Sequence, residues 1–159
     1  MSRFVLLVLI ASAFFSCKKE IARDCTTDIY KYEFYTISEI DTGTTLQGLY
    51  FQVKPGSDLV FLYTHIGPSC KSIWDEEYTD NLVFKVPSAV NSFYYENLQL
   101  ADVMCFFNNT HLFSNGAVAV TAGSVRGNKR VDGKWDLQIN VDIPSSIGRL
   151  IINKTFVQN

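Results

Sequence analysis

A chain of 159 residues with 47% apolar content is long enough for one compact domain that buries roughly two-thirds of its unfolded surface, and too short for two such cores. Fourteen Lys and Arg stand against sixteen Asp and Glu, and the one local gathering of basic residues is a short turn from Arg126 to Lys134. Phosphate binding needs a clustered positive face, so composition argues against nucleic acid as partner.

At the start of the chain, one positive charge at Arg3 precedes an apolar run from Phe4 to Phe15, broken only by Ser12 and followed by Ser16. This is the organisation of a secretory signal peptide over residues 1–16. As a helix the run would span only about 18 Å, short of the roughly 30 Å hydrocarbon core, so a retained transmembrane helix is not expected. Ser16 followed by Cys17, at the end of the apolar run, resembles the lipobox of bacterial lipoproteins, with Phe14 where many lipoboxes have leucine. The resemblance implies that the Cys17 thiol carries a diacylglycerol thioether and begins the mature chain. Lys18, Lys19 and Glu20 resemble the charged export signal of Bacteroidota lipoproteins, which carries them to the outer-membrane surface. Together these motifs cover about twenty residues and imply a membrane partner through a lipid anchor, at the cell envelope. Each buried acyl methylene contributes about 0.8 kcal/mol, so two or three chains hold such a protein on the bilayer.

Residues 17–27 are polar, without an apolar period, and read as a tether; residues 28–159 read as one β domain. Alternation predicts strands at 29–37, 46–54, 59–66, 82–86, 117–126, 134–143 and 149–157, separated by turn residues such as Pro55-Gly56. The clearest is the last but one, with Trp135, Leu137, Ile139, Val141 and Ile143 on one face and Asp136, Gln138, Asn140 and Asp142 on the other. Between 94 and 102 the spacing of Tyr94, Leu98 and Ala101 predicts a short helix, leading into an apolar strand at 103–107. The whole predicts an all-β fold, an antiparallel β-sandwich of about seven to nine strands. A β-barrel is the alternative, because inward alternation is alike in both.

In an oxidising compartment, with Cys17 acylated, Cys25, Cys70 and Cys105 remain. Cys25 and Cys70 lie in turn-like surroundings and are the preferred disulfide, with Cys70 to Cys105 the alternative. No CxxC or HxxxH spacing occurs around His65 and His111, so neither a metal nor any other cofactor is expected. Asp41-Thr42-Gly43 resembles the catalytic triplet of aspartic proteases, but no second copy supplies the partner aspartate, and the triplet reads as a turn between two strands. Gly133-Lys134-Trp135 is similar to the G-x-W of lipocalins, yet it falls near the C-terminus rather than in a first strand; Trp135 is expected in the core. Trp74, Asp75, Glu76, Glu77, Tyr78 and Asp80 form an acidic loop bracketed by aromatics, where carboxylates and rings could receive a sugar.

No catalytic residue is expected. The sequence thus predicts a lipid-anchored envelope domain that binds or scaffolds, with an envelope protein or a glycan as partner. A glycan- or small-ligand-binding module using the 74–80 loop is the first alternative, and a hydrolase the second.

Overall fold

Alternating inward and outward residues resolve into ten strands and one helical turn in the computed structural model, which describes residues 25–46, 48–70, 78–110, 116–144 and 148–159. The stretch 1–16 read as a signal peptide, Cys17, Lys18, Lys19 and Glu20, and the loop residues Trp74, Asp75, Glu76 and Glu77 lie outside the described residues. In chain order the elements are β1 (Ile29–Thr45), β2 (Gly48–Pro55), β3 (Asp58–Ile66), β4 (Thr79–Pro87), β5 (Ser92–Glu96), α1 (Gln99–Asp102), β6 (Phe106–Asn109), β7 (Ala117–Ala119), β8 (Gly123–Lys129), β9 (Trp135–Ile143) and β10 (Gly148–Gln158). The protein is all-β, with one short helix among the described residues.

All ten strands belong to one sheet, ordered β5-β8-β9-β10-β1-β3-β4-β6-β7, with β2 attached to β1. Every ladder between these strands is antiparallel except the seam between β1 and β10, where Glu33 meets Val157 and Phe34 meets Gln158 in parallel; an isolated parallel bridge also joins Leu49 to Gly116. The sheet curls into a half-barrel, and the wing of β5, β8, β9 and β10 packs face to face with the wing of β1, β3, β4 and β6. This differs from a sandwich of two separate sheets only at the seam, which continues one wing into the other.

The core explains the curl. Phe61 on β3, Trp135 on β9 and Phe93 on β5 meet across the two wings, with ring centroids 5.4 Å apart for Phe61 and Trp135 and 5.6 Å for Phe93 and Trp135. Phe84, Phe156, Leu137, Ile139 and Val141 complete a cluster with almost no solvent exposure. Gly127 on β8 is part of the fit, since a Cβ there would collide with the Phe93 ring and the Leu137 side chain. A second, smaller cluster of Ile40, Val60 and Val83 lies on the convex side, covered by Phe51 and Val53 of β2 and by Met104 and Phe106.

Four expectations need correction. Strand β1 does not end at Ile37: it bends there, where Ile37 adopts φ 52° and the register with β3 slips between Tyr35 and Ser38, and then continues to Thr45 paired with β2. Asp41, Thr42 and Gly43 are therefore strand residues opposite Gln52, Phe51 and Tyr50, not a turn. Residues 117–126 are two strands, β7 and β8, parted at Val120–Ala122 before Gly123 with φ 103°. The helix is confined to one turn; Tyr94 belongs to β5, whose pairing with β8 outweighs the helical spacing.

Candidate ligand site at the mouth of the half-barrel

The registers of β1, β3, β4 and β6 order the concave face into rows. One row runs Phe34, Phe61, Phe84, and the next Tyr32, Tyr63, Leu82, Phe107. The last row, at the ends of the strands, is Tyr30, His65, Asp80, Asn109. Period-two alternation puts all of these side chains on the inner face. The face thus changes from aromatic and dry to polar within two residues along each strand.

His65 is the centre of that polar row. Its Nε2 lies 2.7 Å from Asp28 Oδ1 and its Nδ1 3.3 Å from Asp80 Oδ2. Neutral imidazole has one N–H and can donate to only one of these carboxylates, whereas imidazolium donates to both. The Tyr30 ring stacks on the imidazole at 4.5 Å and 5°, and the Tyr78 ring meets it edge-on at 5.4 Å and 88°. Asp80 also accepts from the Asn109 amide. The His65 and Asp80 side chains are largely buried, while Asp28 stays 43% exposed at the rim.

Local chain features hold these groups in place. A disulfide joins Cys25 to Cys70, and Thr26 exchanges two hydrogen bonds with Ser69: its N–H donates to the Ser69 carbonyl at 2.9 Å, and its Oγ1 accepts from the Ser69 N–H at 2.8 Å. The segment before β1 is thereby pinned to the segment after β3, which sets Asp28 over His65. Gly67 donates its N–H to the Tyr78 carbonyl at 2.8 Å, and only a residue without a Cβ leaves room there for the Tyr78 ring.

The phenols of Tyr32, Tyr63 and Tyr78 are kept protonated. Burial is the main cause that raises the pKa of Tyr63, followed by Tyr32, Tyr30, Asp80 and Tyr78; for Tyr78 burial again leads, followed by Asp28, Asp80 and Tyr30. Burial also raises Tyr32, with Tyr30 second. Each remains an O–H donor with free lone pairs at ordinary pH. Tyr63 is only 5% exposed, and its hydroxyl has no hydrogen-bond partner among the described residues.

Of the sequence-predicted loop, Tyr78 and Asp80 are at this mouth; Trp74 to Glu77 are outside the described residues. Asp28 and His65 were not among the predicted site residues. His65 could have been found from its phase, because it continues the inward series Leu59, Phe61, Tyr63 to the strand's end. Among the described residues no three of His, Cys, Asp and Glu converge as metal ligands do; Asp28 and Asp80 approach opposite nitrogens of one ring. Nor is any helix among them long and apolar enough to cross a membrane.

Asp41 is elsewhere, on the exposed β1–β2 hairpin. The Gln52 amide first, and Lys54 second, hold its carboxyl below the usual carboxylate range, and Lys54 lies 3.3 Å from both Asp41 and Glu39. The amide and ammonium beside Asp41 favour its ionised form, the opposite of a proton-sharing aspartate of an aspartic protease. Trp135 is fully buried, and Cys105 is a buried free thiol.

No protein-family model matches the chain, and no curated protein or solved structure matches it closely enough to serve as a relative.

Proposed function

We propose that this chain is a lipid-anchored cell-envelope domain, tethered through Cys17, that binds a small polar ligand at the mouth of its half-barrel. The observation that carries the binding reading is the row Tyr30, His65, Asp80, Asn109 on a concave face that is otherwise aromatic. Placing a carboxylate, an imidazole and an amide on an inner face costs desolvation that the apolar residues of the neighbouring rows would avoid. Sequences depart from consistent core patterning at functional sites, and the mouths of curled sheets are preferred ligand positions.

The proposed role is binding without turnover. The two carboxylates of the mouth are tied to opposite nitrogens of His65, so neither faces the other across a bond to be cleaved, as paired acids do in glycoside hydrolysis. Tyr78 and Asp80, drawn from the acidic aromatic loop, supply the ring and acceptor chemistry that a sugar or similar polar ring would use.

Two experiments test the reading. Radiolabelled palmitate should enter the wild-type protein and not Cys17→Ser; equal labelling of both, or of neither, removes the anchor from the account. Native mass spectrometry of the mature protein from its own envelope should show a persistent added mass below the size of a protein, absent from Tyr78→Ala. A co-purifying protein in its place would support a scaffold and remove the small-ligand reading.

A further inference from the structure

We infer that the mouth recognises its ligand through an organic ammonium group, an inference that rests on the mouth being the binding site. The sign of the charge is the first argument. Asp28 and Asp80 flank His65, so whichever protonation state the imidazole takes, these three groups together keep at least one negative charge. The ionisable neighbours that act on the Tyr63 and Tyr78 phenols, after burial, are all acids. Of the lysines on the surrounding strands, Lys85 pairs with Asp58 at 2.9 Å, Lys54 lies on the hairpin with Asp41 and Glu39, and Lys31, next to Tyr30 on β1, alternates onto the outer face. An anionic ligand would meet repulsion without compensation.

Hydrogen-bond capacity is the second argument, and it is independent of charge. Tyr63 is 5% exposed, lies on the inner face one row below His65, and makes no hydrogen bond among the described residues. Trp135 Nε1 is the one fully buried side-chain polar atom without a partner among the described residues, so the Tyr63 hydroxyl is reached by solvent, and its oxygen can accept as well as donate. Its companions in the mouth, Asp28 and Asp80, are acceptors as well. An ammonium carries three N–H donors and no acceptor, which is the complement of that set. The rings add to this. One face of Tyr30 is taken by the His65 imidazole, and the residue is still 50% exposed. Aromatic faces attract cations, most strongly where water is partly excluded.

The test is isothermal titration of the full, detergent-solubilised protein with glucosamine and cadaverine, and with glucose as the uncharged control. The amines should bind saturably and more weakly as salt rises, with glucose at least about tenfold weaker. Asp80→Asn should weaken amine binding about tenfold, as loss of a charge-assisted hydrogen bond does. Tyr63→Phe should weaken it about threefold by removing a neutral acceptor. Asp28→Lys changes an exposed side chain, so the fold should survive, as an unchanged melting curve will show, while amine binding is lost. Glucose binding as tightly as glucosamine overturns the ammonium inference and leaves the mouth as a site for neutral ligands. No saturable heat from either amine overturns it also. The proposed function fails separately, if the purified protein carries no ligand mass.

Discussion

Replacing Trp135 measures whether the two wings are held together where the rings meet. The indole is fully buried between Phe61 and Phe93, at 5.4 and 5.6 Å. An aromatic side chain of this size buries about 200 Å², worth about 5 kcal/mol at 25 cal/mol per Å². Against that, its Nε1–H is buried without a hydrogen-bond partner among the described residues, a standing cost of about 1–3 kcal/mol that truncation relieves. Trp135→Ala should therefore destabilise by about 3 kcal/mol, at the lower end of aromatic truncations in cores. Trp135→Phe keeps a ring and removes the orphaned donor, so it should cost about 1 kcal/mol or less. Urea melts of the two variants give both numbers. An alanine cost below about 1 kcal/mol would place the side chain outside the core. Equal costs for Ala and Phe would refute the argument that the indole nitrogen is a liability.

Other perturbations act on separate parts of the fold. The Cys25–Cys70 bridge closes a sequence separation of 45 residues, so the double variant Cys25→Ser, Cys70→Ser should lose about 4 kcal/mol by denaturant melting. A loss below about 1 kcal/mol would mean that the bridge does not constrain the unfolded chain. Burial pushes the Cys105 thiol up to about 12, so it should resist thiol reagents at about pH 8 until the protein is denatured. The sign of the linkage follows: the folded form holds this proton more tightly than the unfolded one, so stability is intact below the unfolded pKa and falls as pH rises towards 12. Relative to Cys105→Ala, the wild type should lose about 2 kcal/mol between about pH 8 and about pH 10.5; parallel curves would contradict the burial. Ile37 is 73% exposed and holds φ 52°, a conformation costly for a β-branched residue. Ile37→Asn should raise stability by about 1 kcal/mol in the same melts, and a loss would show that the side chain makes contacts that matter.

The parts of the fold that sequence made legible are those governed by one strand's own pattern. The alternation from Trp135 to Ile143 reappears as β9 with the same inward set, and the Pro55-Gly56 turn joins β2 to β3. What failed was set by partners distant in sequence. The bend of β1 at Ile37 arises because its first half pairs with β3 and its second with β2, a division that no local pattern of Ile29–Thr45 records. Tyr94 and Leu98 have helical spacing, but β8 offers Ser92 to Glu96 a ladder of backbone hydrogen bonds that takes Tyr94, and only Leu98 is left at the start of the helical turn. The same limit hid the mouth. Asp28, His65 and Asp80 are separated along the chain by two strands and a connection, and only the register of β1, β3 and β4 brings Tyr30 opposite His65 and His65 opposite Asp80.

The central claim, that the mouth is where this protein meets its ligand, is tested most directly by mapping backbone amide shifts on adding a low-molecular-weight extract of the cell envelope. The account predicts saturable shifts concentrated at Tyr30, Tyr63, His65, Asp80 and Asn109, and their disappearance in Asp28→Lys. Shifts confined to the outward face of β8, β9 and β10, or an unchanged spectrum, would contradict it.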